Sequence, residues 1–199
     1  CFRCVNGEEH ICERGFQIWG FDTGPLMGAH ADYFALHEHN LVPKPKGLTH
    51  EEAASLPLTL VTAWHMLVRR ARIEANDLVM IRGAAGGRGL FAIQIARLRG
   101  AIAIAVVSNE EKAEIAKLFG AHHVIIRGRD TDETAAKNVK NFLNEVKTIT
   151  ERYYQKGVDV VFDHIGGESI MESIRALRNG GNIVTCGATV VTLYDGANG

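Results

Sequence analysis

From Asp77 onward the chain alternates between short apolar stretches and segments with helical periodicity. The apolar stretches suit buried strands, and the segments between them carry the cap and stop residues of helices. The predicted strands are Leu78–Arg82, Ala101–Val107, Val124–Ile126, Gly157–Asp163 and Asn182–Cys186. The predicted helices are Leu90–Arg97, Glu110–Phe119 and Glu168–Arg178, the second of them opened by a capping box at Ser108-Asn-Glu-Glu111. This order predicts an α/β fold, a Rossmann-type doubly wound parallel sheet with both faces covered.

A polar insert, residues 127–156, separates the third and fourth predicted strands. Its apolar residues recur at a spacing of three or four; they are Val139, Phe142, Val146, Ile149 and Tyr153. This spacing predicts a helix with one face packed on the sheet.

Residues 1–47 have a less regular pattern with many turn residues. Ala31–Leu36 and Asn40–Pro43 are predicted as short strands of a β-rich domain. Thr49-His-Glu-Glu52 is a capping box for a short helix, and Pro57 suits the first turn of a helix over Leu58–Arg72. We therefore divide the chain into residues 1–47, connecting helices at 48–76, and a nucleotide-binding domain at 77–199.

Composition and net charge narrow the classes of function that this chain could have. The chain has 199 residues, of which 46% are hydrophobic and 23% charged, with a net charge of -1. These values are ordinary for a globular protein, and no basic stripe points to nucleic acid as a partner. No apolar run is long enough for a membrane span. Because the chain begins at Cys1 and its pattern continues to the end, we expect a fragment that lacks both ends of a cytoplasmic protein.

A glycine-rich turn joins the first strand of the sheet to its helix. It reads Gly83-Ala84-Ala85-Gly86-Gly87-Arg88-Gly89. Read from Ala84 it is A-x-G-x-x-G, and read from Gly87 it is G-x-G-x-x-A. In a strand–turn–helix context such glycines let the backbone approach a pyrophosphate at the helix N-terminus. The seven residues are therefore predicted to bind a dinucleotide, although a plain structural turn would give the same pattern.

The end of the second strand bears on which dinucleotide binds. NAD-binding units place an acidic residue about 20 residues after the glycines, on the ribose hydroxyls. Ser108 stands there, and no Asp or Glu occurs between Ala101 and Ser108. Lys112 and Arg127 could supply positive charge to a 2'-phosphate. We therefore predict NADPH in preference to NADH, while Ser108 could also simply cap the helix.

Three of the four cysteines lie close together, at Cys1, Cys4 and Cys12. Thiolates at C-x-x-C spacing can bind Zn²⁺ tetrahedrally, and we predict a structural zinc. The fourth ligand would be His10 or a cysteine upstream of Cys1. Free thiols and disulfides are the alternatives, although a nucleotide fold suggests a reducing compartment.

Taken together, these motifs resemble the medium-chain dehydrogenase/reductase family, in its zinc-binding dehydrogenase branch. The resemblance covers essentially the whole chain and includes Thr62–Leu67, Gly120-Ala121 and Thr185–Thr189 in the family's order. Ile18–Asp22, Val42–Lys46, the long insert and Phe162-Asp-His164 are similar to the crotonyl-CoA and acryloyl-CoA reductase group.

The resemblance implies that residues 1–47 belong to a GroES-like catalytic domain with a zinc lobe. It places Leu58 where the family's alcohol dehydrogenases have a cysteine ligand of a catalytic zinc, so it implies a structural zinc alone. It places His164 beside the nicotinamide ribose, as a positioning or catalytic group, and Cys186, Gly187 and Ala188 near the carboxamide. Relatives are usually homodimers or homotetramers.

The expected function is hydride transfer from NADPH to an activated C=C bond of a small molecule, such as an enoyl-CoA or a quinone. One alternative is a zinc-dependent alcohol dehydrogenase, which would need a replacement for Leu58. Another is a nucleotide-binding protein without catalysis. The fragment alone is expected to be inactive, because half of the substrate cleft is missing.

Overall fold

The computed structural model describes residues 1–14, 28–128, 135–167 and 169–186. The chain divides into two compact units, Cys1–Lys46 and Gly47–Gly199. No helix in the described ranges has the length and apolarity needed to cross a bilayer.

The first unit contains helix α1 (Phe2–Val5) and two 3-10 turns, Glu9–Ile11 and Glu38–Asn40. The prediction of strands at Ala31–Leu36 and Asn40–Pro43 is wrong, because no residue from 28 to 46 forms a ladder. Short extended segments form stable strands only when a neighbouring strand pairs with their backbone N–H and C=O groups through hydrogen bonds. The described part of this unit contains no strand to do so.

The second unit begins with three helical segments: α2 (His50–Ala54), α3 (Leu56–Trp64) and a π-helical turn, His65–Arg70. The predicted capping box is present, since Thr49 Oγ1 accepts from Glu52 N at 3.1 Å and Glu52 Oε2 accepts from Thr49 N at 2.8 Å. The helix predicted over Leu58–Arg72 is therefore α3 continued by the π turn.

The remaining elements alternate as predicted. They are β1 (Leu78–Arg82), α4 (Gly87–Leu98), β2 (Ile102–Val107), α5 (Glu110–Leu118), β3 (His123–Ile126), α6 (Ala135–Glu151), β4 (Val158–Asp163), α7 (Ser169–Ala176) and β5 (Leu177–Thr185). The strands form one parallel sheet in the order β3-β2-β1-β4-β5. The predicted doubly wound parallel sheet is confirmed.

Two apolar cores cover the two faces of the sheet. Val79 and Ile81 of β1 pack with α3, α4 and α5 on one face, whereas Leu78 and Met80 pack with α6 on the other. Phe142 and Val146 of α6 are buried, which confirms the apolar face predicted for the insert. Burial on both faces explains why the strands are continuous apolar runs.

The boundary between α7 and β5 differs from the prediction of a helix to Arg178. The helix ends at Ala176, and Leu177 already pairs with Val158. A bulge follows before Asn182 pairs with Val160. Gly180, at φ +75°, lies in this bulge, so glycines that resemble a helix stop in the sequence belong to an irregular strand.

Candidate functional site

The glycine turn lies at the carboxyl edge of the sheet, between β1 and α4. Gly83 has φ +62°, and Gly86 N donates to Gly83 O at 3.0 Å, which closes the turn. Gly86 is the N-cap of α4 but offers no side-chain acceptor, and the first turn of α4 contains no acidic residue. The first N–H groups of α4 are therefore not capped by an N-cap side chain, and positive electrostatic potential concentrates at this end of the helix. The turn has the features of an anion site.

Gly89 fixes how closely α4 approaches the turn. An added Cβ on Gly89 would lie 2.5 Å from both Ala84 Cα and Gly83 O. Ala84 in turn donates from its N–H to Val106 O of β2 at 3.2 Å, so the turn cannot easily move away. The glycine is therefore required by packing rather than by its φ angle.

His164 follows β4 and packs against the glycine turn. An added Cβ on Gly83 would meet His164 Cε1 at 3.1 Å and Nε2 at 3.2 Å. The ring also contacts Phe162 edge-on, with 5.6 Å between ring centroids. The structure thus places the histidine predicted for this edge directly beside the predicted phosphate-binding turn.

The charge state of His164 follows from its surroundings. Burial lowers the pKa of His164, the nearby Arg88 guanidinium lowers it further, and the Asp163 carboxylate acts in the opposite direction. The imidazole is therefore mainly neutral at pH 7. A neutral ring can donate one hydrogen bond and accept another, which suits orientation of a ligand better than charge neutralisation.

Arg88 and Cys186 complete the described part of this edge. Arg88 makes no ion pair with any residue in the described ranges, so its charge is available to a ligand. Burial raises the pKa of the Cys186 thiol, against the influence of Arg88, so it remains a thiol that packs with the core. Gly187 and Ala188, also predicted to bind cofactor, lie outside the described residues.

Ser108 and Lys112 lie together after β2, where NADPH specificity is predicted. Lys112 Nζ donates to Ser108 Oγ at 3.0 Å. The predicted capping box at Ser108 is wrong: Asn109 is the N-cap of α5, and its Oδ1 accepts from Lys112 N at 3.0 Å. Ser108 is one residue too early to cap this helix, so its hydroxyl is left to pair with the lysine.

Arg127 lies after β3, but its guanidinium points to a carboxylate. Its Nη2 lies 2.7 Å from Glu172 Oε1, and its side chain is 10% exposed. The sequence predicted contact with a 2'-phosphate; that remains a prediction, and the ion pair with Glu172 competes with it.

The three predicted zinc ligands come together in the first unit. The Sγ atoms of Cys1, Cys4 and Cys12 all lie within 4.8 Å of one another. A hydrogen bond with Cys12 raises the pKa of the Cys4 thiol. Three soft sulfur donors around one point fit Zn²⁺, which would replace their protons. The alternative ligand His10 has a side chain outside the described part of the structure.

Sequence reasoning missed the residues behind this edge. Asp163 accepts from Ile165 N, Gly166 N and Ser173 Oγ, and is fully buried. Glu172 is also buried. Glu172 and Ser173 both lie on the buried face of the amphipathic helix α7. That periodicity was the signal in the sequence that could have found them.

Comparison with known proteins gives consistent results. The family model described as zinc-binding dehydrogenase matches residues 87–195. Crotonyl-CoA reductase from Streptomyces collinus is 38% identical over 182 residues, which cover 87% of this chain and 40% of that protein. The chain therefore spans well under half of this curated relative.

Solved structures also match this chain. One described as an NAD-dependent alcohol dehydrogenase has a TM-score of 0.82 and 38% identity, covering 95% of this chain and 50% of that one. The structure of the 2-octenoyl-CoA carboxylase reductase CinF, in complex with NADP and 2-octenoyl-CoA, has a TM-score of 0.68 and 38% identity. The match covers 76% of this chain and 36% of that one.

Proposed function

The chain belongs to the zinc-binding dehydrogenase family, and on that premise we propose that the whole protein is an NADPH-dependent oxidoreductase acting on an activated C=C bond. The acceptor would be a small molecule such as an enoyl-CoA thioester or a quinone. One observation carries the proposal: the glycine turn after β1 and His164 after β4 meet at the carboxyl edge of a parallel sheet. Open α/β sheets bind ligands at this edge.

The proposal assigns residues 77–199 to the nucleotide-binding domain and 48–76 to connecting helices. Residues 1–47 would be part of a GroES-like catalytic domain. The division of the chain into compact units after Lys46 supports this assignment. The family resemblance implies a homodimer or homotetramer, and we expect it in the cytoplasm.

The cofactor's pyrophosphate would lie on the turn from Gly83 to Gly89. Backbone N–H groups at the start of α4 would donate to its oxygens, and Arg88, which makes no ion pair within the described ranges, would add a positive charge. Nicotinamide supplies the hydride when the cofactor is bound. The chain's task is to hold that ring near the acceptor.

The 2'-phosphate would lie at Ser108 and Lys112. The ammonium and hydroxyl are 3.0 Å apart and can bind neighbouring phosphate oxygens. The last residues of β2, Val106 and Val107, carry no carboxylate that would favour a free 2'-hydroxyl. This arrangement supports NADPH over NADH, and Arg127 would contribute only after leaving Glu172.

His164 would orient the ribose or carboxamide of the cofactor, because its ring is mainly neutral and packs on Gly83. Gly187 and Ala188 would hold the carboxamide through their backbone, with Cys186 packing behind. Reduction of a C=C bond conjugated to a carbonyl leaves an enolate, which needs a hydrogen-bond donor rather than a metal.

A structural zinc at Cys1, Cys4 and Cys12 would stabilise the first unit. The convergence of the three sulfur atoms supports this part of the proposal. Leu58, at the position implied for a catalytic zinc ligand, lies on α3 and is 69% exposed. Its side chain cannot coordinate a metal, so direct hydride transfer without a catalytic zinc is proposed.

The test uses the full-length protein with crotonyl-CoA or a quinone and either NADPH or NADH, and separately with a primary alcohol and either NADP⁺ or NAD⁺. Oxidation of NADPH by an enoyl-CoA or a quinone, faster than oxidation of NADH, would support the proposal. Because a matching structure is described as an NAD-dependent alcohol dehydrogenase, alcohol oxidation is the second candidate. Alcohol turnover with two zinc ions per chain would favour it and contradict the interpretation of Leu58. Tight NADPH binding without turnover of any acceptor would instead indicate a binding protein.

A further inference from the structure

Helix α7 lies behind the carboxyl edge but contributes none of the predicted cofactor-binding residues. Two consecutive side chains of this helix, Glu172 and Ser173, are buried, at 7% and 0% exposure. A buried carboxylate is stable only when charged or polar partners surround it. The partners of both residues are groups at the ends of strands.

Glu172 connects the ends of β1 and β3. Its Oε2 lies 3.1 Å from Arg82 Nη1, and its Oε1 lies 2.7 Å from Arg127 Nη2. Arg82 is the residue immediately before the glycine turn, and its guanidinium lies 5.0 Å from the centroid of the Phe142 ring. One carboxylate thus fixes the residue that leads into the turn.

Ser173 acts on the end of β4. Its hydroxyl donates to Asp163 Oδ2 at 2.7 Å, while Asp163 Oδ1 accepts from Ile165 N at 2.9 Å and Gly166 N at 3.2 Å. The Asp163 carboxylate therefore holds the backbone that follows His164. Ser173 holds the carboxylate.

These contacts matter because β1 and β4 stop pairing with each other before the carboxyl edge of the sheet. The pairing of β1 with β4 ends at Ile81 and Phe162. β1 pairs on to Arg82 with β2, and β4 pairs on to Asp163 with β5, but in the described residues no direct β1–β4 pairing fixes His164 relative to Gly83.

We propose that α7 is the positioning element of this edge, with Ser173 and Glu172 keeping the His164 ring and the glycine turn in their relative place. The proposal rests on the proposed function, since it assigns this edge to NADPH. Ser173 and Glu172 are positioning residues, because neither lies at the glycine turn itself.

The test compares Ser173→Ala with Thr150→Val in the full-length protein. Thr150 is also fully buried, and its hydroxyl accepts from Gly157 N at 3.3 Å, at the amino ends of the strands. Each variant removes one buried hydroxyl, but only Ser173 lies behind the cofactor edge. NADPH affinity is measured by fluorescence titration, and the His164 ring is followed by NMR with labelled histidine.

Ser173→Ala is expected to weaken NADPH binding about five- to tenfold, the range for one lost hydrogen bond. The pKa of His164 should fall further, because the displaced Asp163 carboxylate no longer supports the charged ring. Thr150→Val should change neither quantity. If Ser173→Ala does not fold, Glu172→Gln, which keeps the shape and removes the charge, is expected to weaken NADPH binding and shift the Gly83 amide resonance.

Equal effects of Ser173→Ala and Thr150→Val on affinity would overturn the proposal, since general destabilisation would then explain both. An unchanged His164 titration in Ser173→Ala would overturn it too. If the unmodified protein does not bind NADPH, the proposed function fails. The positioning role is then judged on the His164 and Gly83 resonances alone, which need no cofactor.

Discussion

Replacement of Gly89 by alanine tests whether close packing holds the glycine turn in place. Gly89 has no positive φ, so an alanine is not strained by its backbone angles. The added Cβ would instead lie 2.5 Å from Ala84 Cα and Gly83 O and 2.6 Å from Ala84 C. Carbon atoms in contact are normally about 3.5–4.0 Å apart, so the overlap with rigid backbone is on the order of 1 Å.

The expected cost follows from that overlap. Overpacking typically costs about 1–3 kcal/mol, and three simultaneous backbone contacts place Gly89→Ala at the upper end. Alanine regains up to about 1 kcal/mol of helix propensity. We expect a net loss of about 2 kcal/mol in the free energy of unfolding. NADPH affinity should fall at least about tenfold, because the turn must shift.

Gly87→Ala is the matched control on the same helix. Its Cβ would meet side-chain atoms of Thr59, Cγ2 at 3.1 Å and Cβ at 3.8 Å, and a shift of a few tenths of an ångström in that side chain relieves the contact. Its free energy of unfolding should therefore stay within about 0.5 kcal/mol of the unmodified protein. Denaturant unfolding of both variants gives the comparison. If Gly89→Ala unfolds at the same midpoint as Gly87→Ala, close packing is not the reason for glycine at this position.

Three further predictions concern other parts of the chain. Lys112→Ala should weaken NADPH binding about tenfold in calorimetric titration but leave NADH binding unchanged. Lys117→Ala, which removes an exposed ion pair, should change neither affinity. Equal losses of affinity for both cofactors in Lys112→Ala would contradict the 2'-phosphate assignment. Cys4→Ser should lower the zinc content of the purified protein measured by mass spectrometry, and full retention of zinc would rule out the three-cysteine site. Burial lowers the pKa of His123 in the folded protein. As the pH falls to about 6.5 and below, His123 is therefore protonated in the unfolded chain before it is protonated in the folded protein. The free energy of unfolding should therefore decrease with falling pH in that range, and His123→Gln should reduce the slope; an unaltered slope would assign the effect to other groups.

The inner strands β1, β2 and β4 were predictable because their apolar runs are buried on both faces. β1 agrees with the prediction at both ends, and β2, β3 and β4 agree within one residue. In each of these strands the apolar run itself indicates a strand, so the sequence of the segment alone is sufficient to predict it. The segments at 31–36 and 40–43 have a similar composition but no partner strand in the described residues, and the prediction failed there.

The site was predictable where backbone geometry demands a residue type. A turn with φ +62° at Gly83 and a backbone contact at Gly89 leave a glycine pattern in the sequence. Roles that depend on partners far along the chain leave no such pattern. Glu172 pairs with Arg82 across ninety residues, and nothing local to either one indicates the other.

By itself, the sequence determined the alternation of strands and helices, the glycine turn and the close spacing of three cysteines. Tertiary structure decided which residues meet: it set His164 on Gly83, turned Arg127 towards Glu172, and extended β5 through a bulge. The physical reason is that periodicity and turn chemistry act between near neighbours. Ion pairs, buried hydroxyl contacts and strand registers form only when the sheet brings distant segments together.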